Sequence, residues 1–196
     1  MANTSRINGF KPVKHLTGAP YNGQFNIYEV AAADATAVFV GDLVQSTAAT
    51  GTEGYDCVGV VATTELTTGS GLVGAVVGFV VDPTALNTPQ YRAALTKRLV
   101  MVADAPDLVF EVQDGGTVPC TQALIGSNTG YTIGSGSTTT GTSAATTGAT
   151  VPATTVTLPL KILGFVKRPD NEAGASQKLL VKINVHAYGS MGTNVS

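Results

Sequence analysis

The chain has 196 residues, of which 43% are hydrophobic and only 12% charged, with a formal net charge of −2. The hydrophobic share excludes an intrinsically disordered chain, and the length suits one domain that buries its core without disulfide staples. The lack of clustered Lys and Arg argues against nucleic-acid binding, and a composition rich in Gly, Thr, Ala and Val favours strands and turns over helices.

Charge is unevenly distributed along the chain. Residues 1–14 carry Arg6, Lys11 and Lys14 without an acid, and residues 115–160 carry no charge. Residues 15–91 carry acids but no Lys or Arg; the acids are Glu29, Asp34, Asp42, Glu53, Asp56, Glu65 and Asp82. We interpret these acids as scattered solvated charges. The alternative is that they pair with the basic arm of another copy or with a basic lattice surface, where complementary charge steers encounter.

Targeting signals and a redox framework are missing from the sequence. The N-terminus has no apolar core of a secretory signal, and the longest apolar run, 72–81, is about half the length of a membrane helix. We therefore expect a protein that is made in the cytoplasm of a host cell and stays soluble, without a membrane partner. Cys57 and Cys120 are expected to be reduced and partly buried.

Residues 1–23 predict an extended N-terminal arm. Pro12 and Pro20 remove backbone donors, and neither a helical nor a strand period persists. Its apolar anchors are Phe10, Val13, Leu16 and Tyr21. An arm of this kind cannot bury these side chains against itself, so it lies either on its own body or on a neighbouring subunit.

Residues 24–196 predict a β-rich body. Short apolar or alternating runs predict strands at 25–30, 37–45, 57–62, 72–81, 99–103, 108–113, 154–160, 163–166 and 178–188. The runs at 57–62 and 72–81 are apolar on both faces, which is typical of strands covered on both sides. One short helix is predicted at 87–98, where Asn87 is a cap residue and Pro89 occupies the first helical position. A strand is the alternative for its second half.

A Gly/Ser/Thr-rich insertion at about 127–153 interrupts the body. Its composition predicts a flexible loop or linker. The number and spacing of the strands predict an all-β fold, a compact β-sandwich or β-barrel of jelly-roll or tulip type. The fold would carry the extended arm and one short helix at most.

The sequence motifs give only weak signals for a catalytic, cofactor or metal site. Residues 69–74 match G-x-G-x-x-G, but neither a following helix nor a suitably spaced acid is present, so we interpret the motif as a glycine turn entering a buried strand. Asp104 and Asp107 flank Pro106 and predict a turn with solvated acids, with glycoside hydrolysis or calcium binding as alternatives. His15 and His186 are expected at the surface or at an interface. We predict no catalytic residue, no cofactor and no metal.

A series of segments spanning nearly the whole chain resembles, in the same order, a family of tailed-bacteriophage head proteins described as capsid decoration, stabilising or cement proteins. The matching segments are 8–13, 18–23, 37–44, 90–94, 109–113, 136–141, 158–164, 168–172 and 180–184. The segment 142–157, almost purely Thr, Ala and Gly, departs from the pattern. The resemblance implies a non-enzymatic virion protein on the capsid exterior, with the major capsid protein as its partner.

A decoration protein that forms a symmetric oligomer binds several capsid subunits at once. The resemblance favours a homotrimer, with a dimer as the alternative, and the charge-free stretch 115–160 suits its axis. We expect the arm to contact a neighbouring subunit. The predicted interface residues are Phe10, Lys11, Pro12, Val13, Lys14 and Tyr21. Deleting residues 1–23 is expected to abolish lattice binding and to leave a folded body.

Three other functions stay open. A carbohydrate- or receptor-binding β module of a phage fibre or tail would share the composition, although the chain has no Trp. A hydrolase would use Asp104, Asp107 or His186. A major capsid subunit is disfavoured because no long helix is predicted.

Overall fold

A computed structural model describes residues 3–49, 51, 54–60, 65–66 and 71–189, and it confirms the all-β prediction. The strands of this part of the chain are β1 (Lys11–His15), β2 (Asn26–Val30), β3 (Leu43–Ser46), β4 (Val58–Val60), β5 (Glu65–Leu66), β6 (Leu72–Phe79), β7 (Arg98–Ala103), β8 (Leu108–Gln113), β9 (Asn128–Thr129), β10 (Tyr131–Thr132), β11 (Thr146–Thr147), β12 (Leu160–Phe165) and β13 (Lys178–Ile183). A 3-10 turn spans Gln122–Leu124. No helix of the described residues is long and apolar enough to cross a bilayer.

The strands form three antiparallel sheets. Sheet A has the order β1-β8-β13-β12-β9, sheet B the order β2-β7-β6-β3-β4, and a small third sheet the order β11-β10-β5. Because neither five-stranded sheet closes on itself, the architecture is a sandwich rather than a barrel.

The main core lies between sheets A and B. Sheet A contributes the alternate residues of β8 and β13, including Phe110 and Val181, and sheet B contributes Leu43, Leu72 and Ala75. The period-two patterns of the sequence predicted these inward faces of β8 and β13, because successive side chains of a strand point to opposite faces.

Sheet B is buried on its second face as well. A separate cluster of small aliphatic side chains, including Val44, Val73, Val76 and Val102, covers that face. This double burial explains the continuous apolar sequence at the start of β6, where residues 72–76 are all buried, as the run at 72–81 predicted. The last residue of that run, Val81, is exposed. The strand predicted at 57–62 is present as β4, and residues 61 and 62 lie outside the described residues. The strand β6 begins at Leu72, within the glycine motif, and continues past its end, where a dinucleotide site would need a helix.

Several local predictions are wrong. The strand predicted at 37–45 forms only from Leu43 onward, and the strand predicted at 178–188 ends at Ile183. Residues 87–97 form turns and bends instead of a helix, and Arg98 begins β7. The N–H of Arg92 pairs with the carbonyl of Val38 at 2.8 Å, and Tyr91 stacks on Phe39 with ring centroids 5.2 Å apart. The two strands predicted at 154–160 and 163–166 are replaced by one strand, β12, which starts at Leu160 and contains a bulge before Gly164.

The Gly/Ser/Thr-rich insertion is packed, contrary to its composition. It provides β9, β10 and β11, and Tyr131, Ser143 and Ala145 within it are buried. Gly136 lies against the ring of Phe39, where a Cβ atom would come within 2.3 Å of a ring carbon. Small residues are therefore needed here because the backbone of the insertion approaches the body closely. The insertion is not a linker.

Candidate partner-binding surface

The N-terminal segment lies on the body of its own chain. Strand β1 pairs with β8 at the edge of sheet A. Upstream of it, the amide of Asn3 donates to the carbonyls of Glu172 and Ala175, at 2.8 and 3.0 Å. The N–H of Arg6 donates to Gln113 at 2.8 Å. The segment that the sequence presents as an arm is thus part of the folded sandwich.

Phe10 is a core residue, which corrects its assignment to the interface. Its side chain is only 1% exposed and meets the ring of Tyr131 edge-on at 6.0 Å. Just before it, Gly9 has a φ of 65° and lies so close to Gly41 that a Cβ would approach the Gly41 carbonyl oxygen to 2.5 Å. Sequence analysis missed this burial because Tyr131, which covers Phe10, belongs to the segment predicted to be flexible.

The other predicted interface residues form a hairpin on the surface. Lys11 and Lys14 are exposed, and Pro12 and Val13 are half-buried. The N–H of Tyr21, itself half-buried, donates to the carbonyl of Val13 at 3.1 Å. Since this bond closes the outer edge of β1 at Val13, a partner meets side chains there and cannot add a strand.

A groove that we call the basic groove runs between the N-terminal segment and sheet A, with a volume of about 440 Å³. Its charged lining residues are Arg6, Lys11, Arg168 and Lys178, against Glu111 and Asp170. Arg168 forms a bidentate pair with Glu111, with a shortest distance of 2.9 Å. Burial lowers the pKa of Lys178, Glu111 counteracts this shift, and the nearby cations add to it. Four cations against two carboxylates make this surface attractive to an acidic partner.

Several acids of residues 15–91 are buried or paired, which corrects the interpretation of these residues as scattered solvated charges. Glu29 and Asp42 are buried, and Asp34 lies 3.8 Å from the guanidinium of Arg92. Asp56 and Asp82 are exposed. Glu53 and the side chain of Glu65 lie outside the described residues. A buried or paired acid is not available to the basic arm of another copy.

Arg92 is a structural residue that sequence analysis did not identify. Its side chain is fully buried and donates to the carbonyls of Thr96, Thr36, Ala31 and Asp34, at 2.6, 2.5, 2.7 and 2.8 Å. A planar guanidinium with five N–H groups suits such a convergence of carbonyls. Arg92 therefore ties the loop after β2 to the loop before β7.

A second buried group links the insertion to the body. The carboxylate of Asp42 accepts the hydroxyl of Ser143 at 2.5 Å and the N–H of Phe39 at 2.8 Å. Burial raises the pKa of Asp42 to about 6, and the two hydrogen bonds counteract part of the rise. Neither residue type nor spacing reveals this contact, because 101 positions separate the partners.

The carboxylates tested for chemistry each have their own hydrogen-bond partners. Asp107 pairs with His15 at 3.0 Å, whereas Asp104 accepts hydrogen bonds from Tyr28 and Asn26. Cys57 and Cys120 are free and buried, and burial raises the pKa of both thiols, that of Cys120 to about 11. Within the described ranges no group of three or more His, Cys, Asp and Glu side chains is arranged to hold a metal ion.

No family model, no curated protein and no solved structure matches this chain.

Proposed function

We propose that this chain is a structural virion protein that decorates and cements the capsid of a tailed bacteriophage, binding across subunits of the major capsid protein without catalysis. The ordered series of segments that resemble the decoration family supports the proposal. The observation that carries it in the structure is the basic surface, composed of the basic groove, which Lys11 lines, and the exposed Lys14 on the same strand.

This basic surface is pre-organised for binding. Hydrogen bonds from Asn3 and Arg6 fix the N-terminal segment before any partner arrives. A fixed segment loses less conformational entropy on docking than a free arm would. The exposed ammonium groups of Lys11 and Lys14 then meet carboxylates of the capsid, and the interaction is sensitive to salt.

Self-association brings several such surfaces to the lattice. The charge-free stretch 115–160 exposes Val118, Val151 and Val156. Apolar side chains without like charges suit the axis of a homotrimer, the oligomer that we favour over a dimer. Linked copies gain affinity through effective concentration, so each single contact need only be weak.

The first experiment is to purify the virus particles that encode this chain and to quantify it against the major capsid protein. A ratio near one, or a simple fraction of it, is expected for a protein distributed over the lattice. A few copies per particle would place the chain at the portal or tail, and its absence from particles would refute the proposal.

The second experiment tests the docking surface. Capsids lacking the protein are incubated with the purified chain or with the double variant Lys11→Glu/Lys14→Glu, and bound protein is measured by co-sedimentation at increasing salt. We expect binding to weaken by at least about tenfold, which corresponds to about 1.4 kcal/mol. Lys97→Glu/Lys167→Glu, which reverses the charge of two other exposed lysines outside the basic groove, is the matched control. If the double variant binds capsids as strongly as the wild type, the basic surface is not part of the capsid interface.

Deletion of residues 1–23 is unsuitable as a test of capsid binding, because it also removes Phe10 from the core.

A further inference from the structure

A second concave surface lies between β2 and the turn that joins β7 to β8, and we call it the Asp104 cleft. It consists of two adjoining cavities of about 380 and 670 Å³, which share Phe25, Asn26, Asp104 and Tyr188. These volumes lie within the range of roughly 300–1,000 Å³ that is usual for small-molecule sites. The cleft contains neither Lys11 nor Lys14, so it is distinct from the basic surface.

Aromatic rings are concentrated in the Asp104 cleft. Its aromatic lining residues are Tyr21, Phe25, Tyr28, Tyr55 and Tyr188. They are five of the twelve aromatic residues of the chain, which has six Phe and six Tyr. Phe25, Tyr55 and Tyr188 are 43%, 37% and 53% exposed, so their rings offer flat apolar surface to solvent. Rings of this kind pack against the apolar C–H faces of sugar rings, and their hydroxyls supply polar contacts at the rim.

The floor of the cleft holds a fixed polar group. The carboxylate of Asp104 accepts the hydroxyl of Tyr28 at 2.6 Å and the amide of Asn26 at 2.9 Å. The same amide lies 3.2 Å from the other oxygen of Asp104. A carboxylate has about four acceptor positions, so these three bonds orient Asp104 and leave it some acceptor capacity. The amide oxygen of Asn26 and the hydroxyl of Tyr188 add an acceptor and a donor. Sugar hydroxyls both donate and accept, and this mixed set matches them.

The negative charge of the cleft lining disfavours anionic ligands. The lining carries the carboxylates of Asp56 and Asp104 and includes neither Lys nor Arg, with His15 at one end. Phosphorylated ligands, nucleic acids and acidic sugars would be repelled. A lysine or arginine of a partner protein would also pair with the carboxylates. Such a side chain only donates hydrogen bonds, however, and it is too small to cover three exposed rings spread over two cavities.

We propose that the Asp104 cleft is a binding site for a neutral oligosaccharide. The sugar rings pack on Phe25, Tyr55 and Tyr188, and a pair of neighbouring hydroxyls is bound by Asp104 and Asn26. The site does not depend on the cementing function and gives the chain a second, glycan-directed interaction.

Tyrosine emission is a direct probe of this cleft. The chain has no Trp, and Tyr21, Tyr28, Tyr55 and Tyr188 are four of its six tyrosines. The full chain is first applied to an array of neutral plant, fungal and bacterial glycans. The glycans that it retains are then titrated in solution, with tyrosine fluorescence and calorimetry as readouts. Saturable binding with a change in emission is expected.

Variants decide where binding occurs. Tyr188→Ala and Asp104→Asn are each expected to weaken it by at least about tenfold, which is about 1.4 kcal/mol. The controls are Leu86→Ala and Asp82→Asn, which change an exposed apolar and an exposed acidic residue outside the cleft. Tyr188 is half exposed, so its variant keeps the fold even if Asp104→Asn does not.

Three outcomes would overturn the proposal. They are failure to bind any glycan of the array, glycan binding that Tyr188→Ala leaves unchanged, and binding of a Lys/Arg-rich peptide, but of no glycan, that Tyr188→Ala abolishes. The last outcome would assign the cleft to a protein partner. The capsid-binding result with Lys11→Glu/Lys14→Glu is independent of all three.

Discussion

Substitution Asp42→Asn is expected to flatten the dependence of folding stability on pH. The Asp42 side chain is 3% exposed and lies between Ser143 of the insertion and the backbone of Phe39. The hydroxyl of Tyr131, which is buried without a hydrogen-bond partner, belongs to the same region. Burial outweighs the two hydrogen bonds and raises the pKa of Asp42 to about 6.

The magnitude follows from the difference between folded and unfolded pKa values. An unfolded aspartate has a pKa of about 4, so the rise is about two units and corresponds to about 3 kcal/mol. Between these two values the native state binds more protons than the unfolded state. The contribution of Asp42 to stability is therefore greatest below about pH 4 and is lost as the pH rises through about 6.

Urea unfolding of the wild type and of Asp42→Asn, at intervals from about pH 4 to 7, measures this effect. Other titrating groups are common to both proteins, so they cancel in the difference between the two free energies of unfolding. The stability of the wild type relative to the variant should fall by about 2 kcal/mol over this range, because the unfolded aspartate is already half ionised at about pH 4. Asp82→Asn, at an exposed turn residue, should not show the fall. Parallel profiles for the wild type and Asp42→Asn would show that the carboxylate ionises freely in the folded protein.

Two further substitutions test the buried contacts by urea unfolding. Arg92→Met should destabilise the protein by more than about 3 kcal/mol, because it leaves four carbonyls without their donor, whereas the exposed Lys14→Met should change stability by less than about 0.5 kcal/mol. A loss below about 1 kcal/mol for Arg92→Met would mean that water replaces the guanidinium. Phe10→Ala should cost about 3–5 kcal/mol and Lys11→Ala almost nothing, and equal effects at the two positions would place Phe10 outside the core.

Regular periodicity made part of the fold predictable. The alternation in β13 identified Leu179, Val181 and Ile183 as inward-facing, and the doubly apolar run of β6 indicated burial on both faces. Such patterns are local, because a strand repeats every two residues regardless of what covers it.

The candidate sites were less predictable than the strands. Lys11 and Lys14 could be identified as exposed cations, but Phe10 was expected at an interface and lies in the core. Asp104 was expected to be a solvated turn acid, and it lies at the floor of an aromatic cleft. The five rings of that cleft come from positions 21 to 188, and no local pattern joins them.

The sequence by itself determined the all-β class, the main strand positions and the distribution of charge, since composition and two-residue periodicity act over a few neighbouring residues. Tertiary structure alone decided that the Gly/Ser/Thr-rich insertion is packed, that residues 87–97 form turns around Arg92, and that the N-terminal segment joins sheet A. The physical reason is the same in each case. A buried hydrogen bond or a close backbone approach between distant segments, such as Asp42 with Ser143 or Gly9 with Gly41, outweighs the local preference of either segment.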